Sequence, residues 1–284
     1  LSVTEQTTHR GVAEKLFVIL TLSVLLYFTV FRELIQVWST NEDYGHGFFI
    51  LPISLYLIWQ KRGELLSRPA GTSRWGYPLL VLWAPAYVIG SVGHISTVAY
   101  ASMLLFITGS CAVLVGGKVL RLILFPVLFL VFMFPIPSEL YLRVTNPLML
   151  AATDVSFRLV DMMGIPILRD GNLLTLPNYS MEVVDACSGI RSMIAIMAIT
   201  LLIGYFTIPS LIVRTVFFFV SIPIAMLGNV FRITTTALLA YFYTPQAAEG
   251  FSHTFAGIAT FLLSILILFG CIQVVQWYSG KRKS

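Results

Sequence analysis

The sequence predicts an all-α, polytopic integral membrane bundle, and three observations carry that expectation. Of 284 residues, 57% are hydrophobic and only 11% are charged, and the mean hydropathy is +0.87. That much apolar surface exceeds what one soluble core can bury. Apolar stretches near the roughly 20 residues needed to cross a bilayer recur along the whole length. No linker-like or low-complexity segment interrupts them, so residues 1–284 read as a single integral membrane domain.

Taken in order, the candidate spans are residues 16–31, 48–59, 75–92, 98–115, 119–136, 187–208, 211–230 and 253–277. The first could be mistaken for a secretion signal, but Thr29-Val30-Phe31-Arg32 offers no small-residue cleavage site, so it reads as a retained anchor. The second is short. The seventh closes on Gly228-Asn229, yet residues 233–243 continue apolar, which predicts a break or bend near Gly228. Residues 137–186 are semi-apolar and carry Pro147, Pro166, Asp170-Gly171-Asn172 and Pro177-Asn178. They are expected to form an outer cap of interfacial helix and turns.

Orientation follows from the basic residues, which collect in cytoplasmic loops. Arg10 and Lys15 fall in the tail of residues 1–15, Lys61, Arg62, Arg68 and Arg74 fill one loop, and Lys118 and Arg121 another. Lys281, Arg282 and Lys283 lie in the basic tail of residues 278–284. Opposite loops are acidic, with Glu33, Glu42 and Asp43 in one and Glu139, Asp154, Asp161, Asp170, Glu182 and Asp185 in the other. About eight spans with both ends inside satisfy these assignments. The net charge of +5 is explained by the cytoplasmic loops and calls for no nucleic-acid partner.

Under that parity three chemically able side chains fall at the outer face. Cys187 opens the sixth span in Val184-Asp185-Ala186-Cys187-Ser188-Gly189-Ile190-Arg191, where a helix N-terminus favours the nucleophilic thiolate. Arg191, one turn deeper, adds supporting positive potential. Arg232 is costly against lipid and should reach a polar cavity or the interface. His253 could serve as a general acid or base for the thiol. Cys111 and Cys271 sit deep in apolar runs and read as packing residues. Three scattered cysteines without CxxC spacing suggest neither a disulfide framework nor a zinc ribbon. A metal site from His46, His94, His253 and Asp185 has no recognised spacing behind it, so no metal or cofactor is expected. Two alternatives to a thiol enzyme stay open. One is a polytopic transporter, which would favour charges at span centres, and the other is a rhomboid-like serine protease using Ser188, whose motif lacks a glycine two residues before the serine.

In order, type and placement, Ala186-Cys187-Ser188-Gly189-Ile190-Arg191, then Asn229-Val230-Phe231-Arg232, then His253 followed by Gly257, resemble the exosortase/archaeosortase family. Tyr44-Gly45-His46-Gly47-Phe48 leading into Leu51-Pro52-Ile53, and Phe134-Pro135-Ile136-Pro137, add to the likeness. The resemblance implies a bacterial inner-membrane exosortase with its active site on the extracytoplasmic face. Its substrates would be exported proteins bearing a C-terminal motif, a single transmembrane helix and a basic tail, of the PEP-CTERM type. Membrane lipid would be its other partner. Cleavage would proceed through an acyl-thioester on Cys187, with Arg232 as proton donor or electrostatic support and His253 as transition-state stabiliser or proton shuttle. The family pattern places an acidic residue after the histidine, and here Thr254 stands there.

Overall fold

The computed structural model describes residues 3–183, 189–243 and 251–281, with the side chains at 3–10, 251–254, 256 and 277–281 left aside. The chain divides into two compact units, Leu1–Pro137 and Ser138–Ser284. Among the described residues four helices are long and apolar enough to cross a membrane, and up to six if each bent pair counts as one span. The protein is thus an all-α polytopic membrane protein. Two expected spans, 48–59 and 75–92, form helices of 14 and 17 residues. At 1.5 Å per residue these reach about 21 and 26 Å, short of a hydrocarbon core of about 30 Å.

The first unit contains α1 (Val3–Leu26), α2 (Phe28–Thr40), α3 (Gly47–Gln60), α4 (Arg62–Ser67), α5 (Gly76–Val92), α6 (Ser96–Leu114) and α7 (Gly117–Phe129). The expected first span is not one straight helix: α1 and α2 meet at 71°. Neither proline nor glycine stands at this bend. Tyr27 does, fully buried, with its hydroxyl 2.8 Å from Ser102 Oγ and accepting from Trp83 Nε1 at 2.9 Å. A buried phenol held by two side chains fixes where the helix turns.

α5 and α6 form the closest helix pair of this unit, with small residues at the seam. A Cβ on Gly90 would stand 2.5 Å from the Ala99 nitrogen and 2.7 Å from its Cα, both backbone atoms that cannot swing aside. Gly90→Ala is therefore expected to force the helices apart and to cost about 1–3 kcal/mol by overpacking. A thermal melt in detergent followed by circular dichroism should show a midpoint several degrees lower. An unchanged midpoint would mean that the seam is slack.

At the α2–α3 connection the Tyr44-Gly45-His46-Gly47 run is tied to the residues after α7. His46 Nε2 lies 2.9 Å from the Phe132 carbonyl, Tyr44 Oη accepts from the Ile136 amide at 3.3 Å, and Trp38 Nε1 donates to the Met133 carbonyl at 2.9 Å. Burial pushes the His46 imidazole below its usual pKa, partly offset by the Phe132 carbonyl. The two motifs are thereby one structural knot, closed by Tyr100 stacked on Phe134 with centroids 4.9 Å apart.

In the second unit α8 (Ser138–Met162) is followed by a three-stranded antiparallel meander, β1 (Leu168–Asp170), β2 (Leu173–Leu176) and β3 (Tyr179–Glu182). Then come α9 (Ile190–Thr207), α10 (Leu211–Phe242) and α11 (Phe251–Lys281). The cap of helix and turns thus contains a small sheet, in register Leu168↔Thr175 and Leu174↔Met181. Gly171, at φ +61°, supplies the first tight turn. Of the break or bend expected near Gly228, the break does not occur, because α10 runs unbroken for 32 residues. Its first half joins α9 and α11 in a core that includes Ile196, Phe217, Ala225 and Leu268. Its second half carries the meander and α8 on Val230, Ile233, Ala237 and Ala240.

Candidate functional site

Of the residues singled out from the sequence, Arg191 and Arg232 are described in this second unit, Arg232 in the middle of α10. Asn229 and Arg232 are one turn apart there, at the junction of the two cores. Asn229 is buried and Arg232 half-buried. Arg232 lies about 32 Å along the helix axis from Leu211, at 1.5 Å per residue. That distance matches a hydrocarbon core of about 30 Å, so a helix entering the bilayer near Leu211 delivers the guanidinium to the opposite interface.

Cys187 lies outside the described residues, and so does Ser188. The chain on each side of them is held. Before the segment, Val183 is fully buried, and its amide donates to the Asn172 carbonyl at 2.9 Å. After it, Gly189 caps α9 in the left-handed region at φ +78°. Its Cα hydrogen faces Asn229 so closely that a Cβ would stand 2.8 Å from Asn229 Cγ and 2.9 Å from its Cβ. Only glycine meets both conditions. The described helix therefore begins at Ile190, three residues later than the predicted span, and Arg191 falls in its first turn.

Gly189→Ala tests that contact against a matched control. Gly171 also has positive φ, at +61°, but nothing lies within 4 Å of its missing Cβ. Both alanine variants carry the left-handed penalty of about 1–2 kcal/mol. Only Gly189→Ala also drives a methyl group into Asn229, so it alone should depress any activity of the site beyond its loss of thermal stability. Equal effects in the two variants would remove the Asn229 contact from the account.

On the other flank of α10, Arg232 packs on α11. A Cβ at Gly257 would be 3.5 Å from Arg232 Cζ and 3.6 Å from Nε, so the missing side chain makes room for the guanidinium. One turn earlier in α10, Gly228 approaches Ser264 in the same way, its Cβ position 2.4 Å from Oγ. His253 is the third residue of α11, and its side chain is outside the described set. Positions 253 and 257 are one turn apart, and residues at i and i+4 share a helix face. Arg232 lies against α11 at Gly257.

Between the three helices runs a narrow cleft, lined among others by Ser192, Asn229, Arg232, Thr260, Phe261 and Ser264. Thr260 Oγ1 donates to the Gly257 carbonyl at 3.0 Å, and Ser264 Oγ to the Thr260 carbonyl at 2.9 Å. Ser192, Thr260 and Ser264 were not among the residues singled out from sequence. The signal for the last two was present as Gly257, Thr260 and Ser264 at helical spacing, the small-residue pattern of a close helix contact. Chemically the cleft sets a permanently charged, fork-shaped donor among small hydroxyls beside an apolar interior. In such surroundings a cation stabilises developing negative charge strongly.

The other candidates are placed elsewhere. Cys111 is buried in the core of the first unit and Cys271 is exposed on α11. His46 is engaged with Phe132, and His94 is exposed at the α5–α6 turn with φ +52°. Asp154 of α8 pairs with Arg158 at 2.9 Å and with Arg169 of β1, which ties the meander to its helix. Among the described residues no three His, Cys, Asp or Glu side chains stand together as a metal site would need.

A family model described as transmembrane exosortase matches residues 38–270. No curated protein and no solved structure matches the chain.

Proposed function

Because the chain belongs to the transmembrane exosortase family, we propose that it is a membrane-embedded cysteine protease and transpeptidase acting on the C-terminal sorting signals of exported proteins. Family membership carries the general activity, that of a membrane sorting peptidase. The finer reading rests on one observation: Gly189, two residues after Cys187, and Gly257, one turn after His253, both close on the same stretch of α10, at Asn229 and Arg232.

In this reading the Cys187 thiolate attacks the scissile carbonyl carbon and an oxyanion forms. Collapse breaks the C–N bond, releases the amine of the substrate's helical tail with a proton, and leaves an acyl-thioester. Water or an acceptor amine then attacks that thioester and regenerates the thiol. Arginine stays protonated at any working pH, so Arg232 suits electrostatic stabilisation of the oxyanion better than proton donation. His253, as an imidazole, suits the proton transfers. A tripartite signal fits such a site physically. The substrate's own helix sits in the bilayer while the motif before it reaches an interfacial thiol.

Two measurements test this. Hydroxylamine added to a reconstituted reaction should divert the cleaved fragment to a hydroxamate, and its absence under active turnover would rule out the thioester. A membrane-impermeant maleimide should label Cys187 from outside intact cells in a Cys111→Ala/Cys271→Ala background. The motivation is the segregation of Lys61, Arg62, Arg68 and Arg74 to the inner side. Labelling of Cys187 only after the inner face is opened would overturn the assigned orientation of the site.

A further inference from the structure

We propose that the first unit holds a binding site for one acyl chain of an anionic phospholipid, in a groove that opens sideways between α1 and α3. The cavity measures about 250 Å³. Its floor includes Ile19, Met103, Cys111, Ile123, Val127 and Met133, none more than 4% exposed. Its mouth is formed by Phe17, Leu20, Val24 and Leu55, which are 45–69% exposed.

The lining decides the chemistry of the occupant. Its two hydroxyls are turned away from a ligand, since Ser23 Oγ donates to the Ile19 carbonyl at 2.7 Å and Ser54 Oγ to the Pro126 carbonyl. What remains is hydrocarbon, so the groove offers a partner no hydrogen bond.

Charge decides the headgroup. At one end the groove is lined by Leu16, Ile58, Cys111 and Ile123, where Val12, Leu65, Val115 and Val119 close the core. Lys15 adjoins Leu16, Arg62 lies one turn beyond Ile58, and Lys118 and Arg121 come just before Ile123. Arg62 is held over the exposed Trp59 ring at 4.0 Å, an aromatic–cation pair of the kind that marks a membrane interface. At the other end, beyond Phe31, stands the carboxylate of Glu33, which accepts from Ser96 Oγ at 2.5 Å. The basic end, where Lys15, Arg62, Lys118 and Arg121 outnumber Glu14 and Glu64, would therefore seat a lipid phosphate, whereas Arg32 beside Glu33 leaves the other end without a net charge to hold one.

Native mass spectrometry of the full chain, released from mixed micelles of phosphatidylglycerol and phosphatidylcholine, provides the test. One phosphatidylglycerol should be retained about tenfold over phosphatidylcholine. Lys15→Gln and Lys118→Gln should each lower that preference about fivefold with phosphatidylcholine unchanged, as expected for one basic residue at an anionic surface. Leu20→Trp and Val24→Trp, both at exposed mouth positions that tolerate bulk, should lower retention of both lipids. Equal retention of the two lipids by the wild-type chain overturns the anionic headgroup. Undiminished retention in both tryptophan variants overturns the groove as the site. Displacement of the lipid by a single-helix substrate tail, with loss of that competition in the tryptophan variants, would show that a helix is the occupant. None of these readouts involves peptide cleavage, so they stand apart from the peptidase reading.

Discussion

Cys187→Ala should abolish processing of a tripartite-tailed substrate, with cleavage falling below detection in a time course while membrane insertion and helix content remain. Cys111→Ala and Cys271→Ala should process within about twofold of the parent. The contrast follows from the proposed chemistry: Cys111 is 2% exposed in a packed core, Cys271 is exposed on α11, and Cys187 stands two residues before Gly189, which closes on Asn229. The Cys111 variant is the more demanding control, because shaving a buried thiol to alanine leaves a small cavity. Its thermal midpoint should fall while its rate holds. Persistent cleavage by Cys187→Ala would remove the thioester and promote the neighbouring hydroxyl of Ser188 to nucleophile.

For Arg232→Lys we expect a loss of a hundredfold to a thousandfold in rate, the typical worth of one oxyanion donor, with little change in expression or substrate binding. Lysine keeps the charge but replaces a planar fork by a point charge on a flexible stem. The Gly257 recess admits a flat group close to the α11 backbone, with Cζ 3.5 Å from the position of the missing Cβ. An ammonium would sit there without the paired directional N–H groups. If Arg232 merely carried its charge to the interface, lysine would serve almost as well. Near-parent turnover of Arg232→Lys, compared with Arg232→Ala at matched expression, would therefore reduce the chemistry to Cys187 and His253.

Much of the helix layout was legible because apolar runs end on polar or glycine-bearing turns. Predicted residues 98–115 and 75–92 became Ser96–Leu114 and Gly76–Val92. Three features were not. The turn at Tyr27 has no proline or glycine to announce it, since its cause is a pair of partners, Ser102 and Trp83, far along the chain. Gly228 looked like a breaker, yet within a long apolar helix it serves as a recess for Ser264. The meander's strands are three and four residues long, too short for alternation to stand out from the turns between them. The candidate site was readable only as an ordered set of residue types. The contacts of Gly189 with Asn229 and of Gly257 with Arg232 were not, because sequence patterning reads glycines as turns or flexibility.

The unbroken course of α10 has a consequence for how the site behaves over time. Asn229 and Arg232 are three residues apart on one rod, with about 4.5 Å of rise and 300° of rotation between them. The spacing between the segment braced by Gly189 and the segment braced by Gly257 is therefore set by helix pitch and not by loop relaxation. In the proposed mechanism, a charge mounted in this way needs little reorganisation when an oxyanion appears. It also has a particular failure mode. One alanine inserted between Val230 and Phe231 would turn Arg232 by about 100° relative to Asn229, so that the two could no longer both keep their contacts with Gly189 and Gly257.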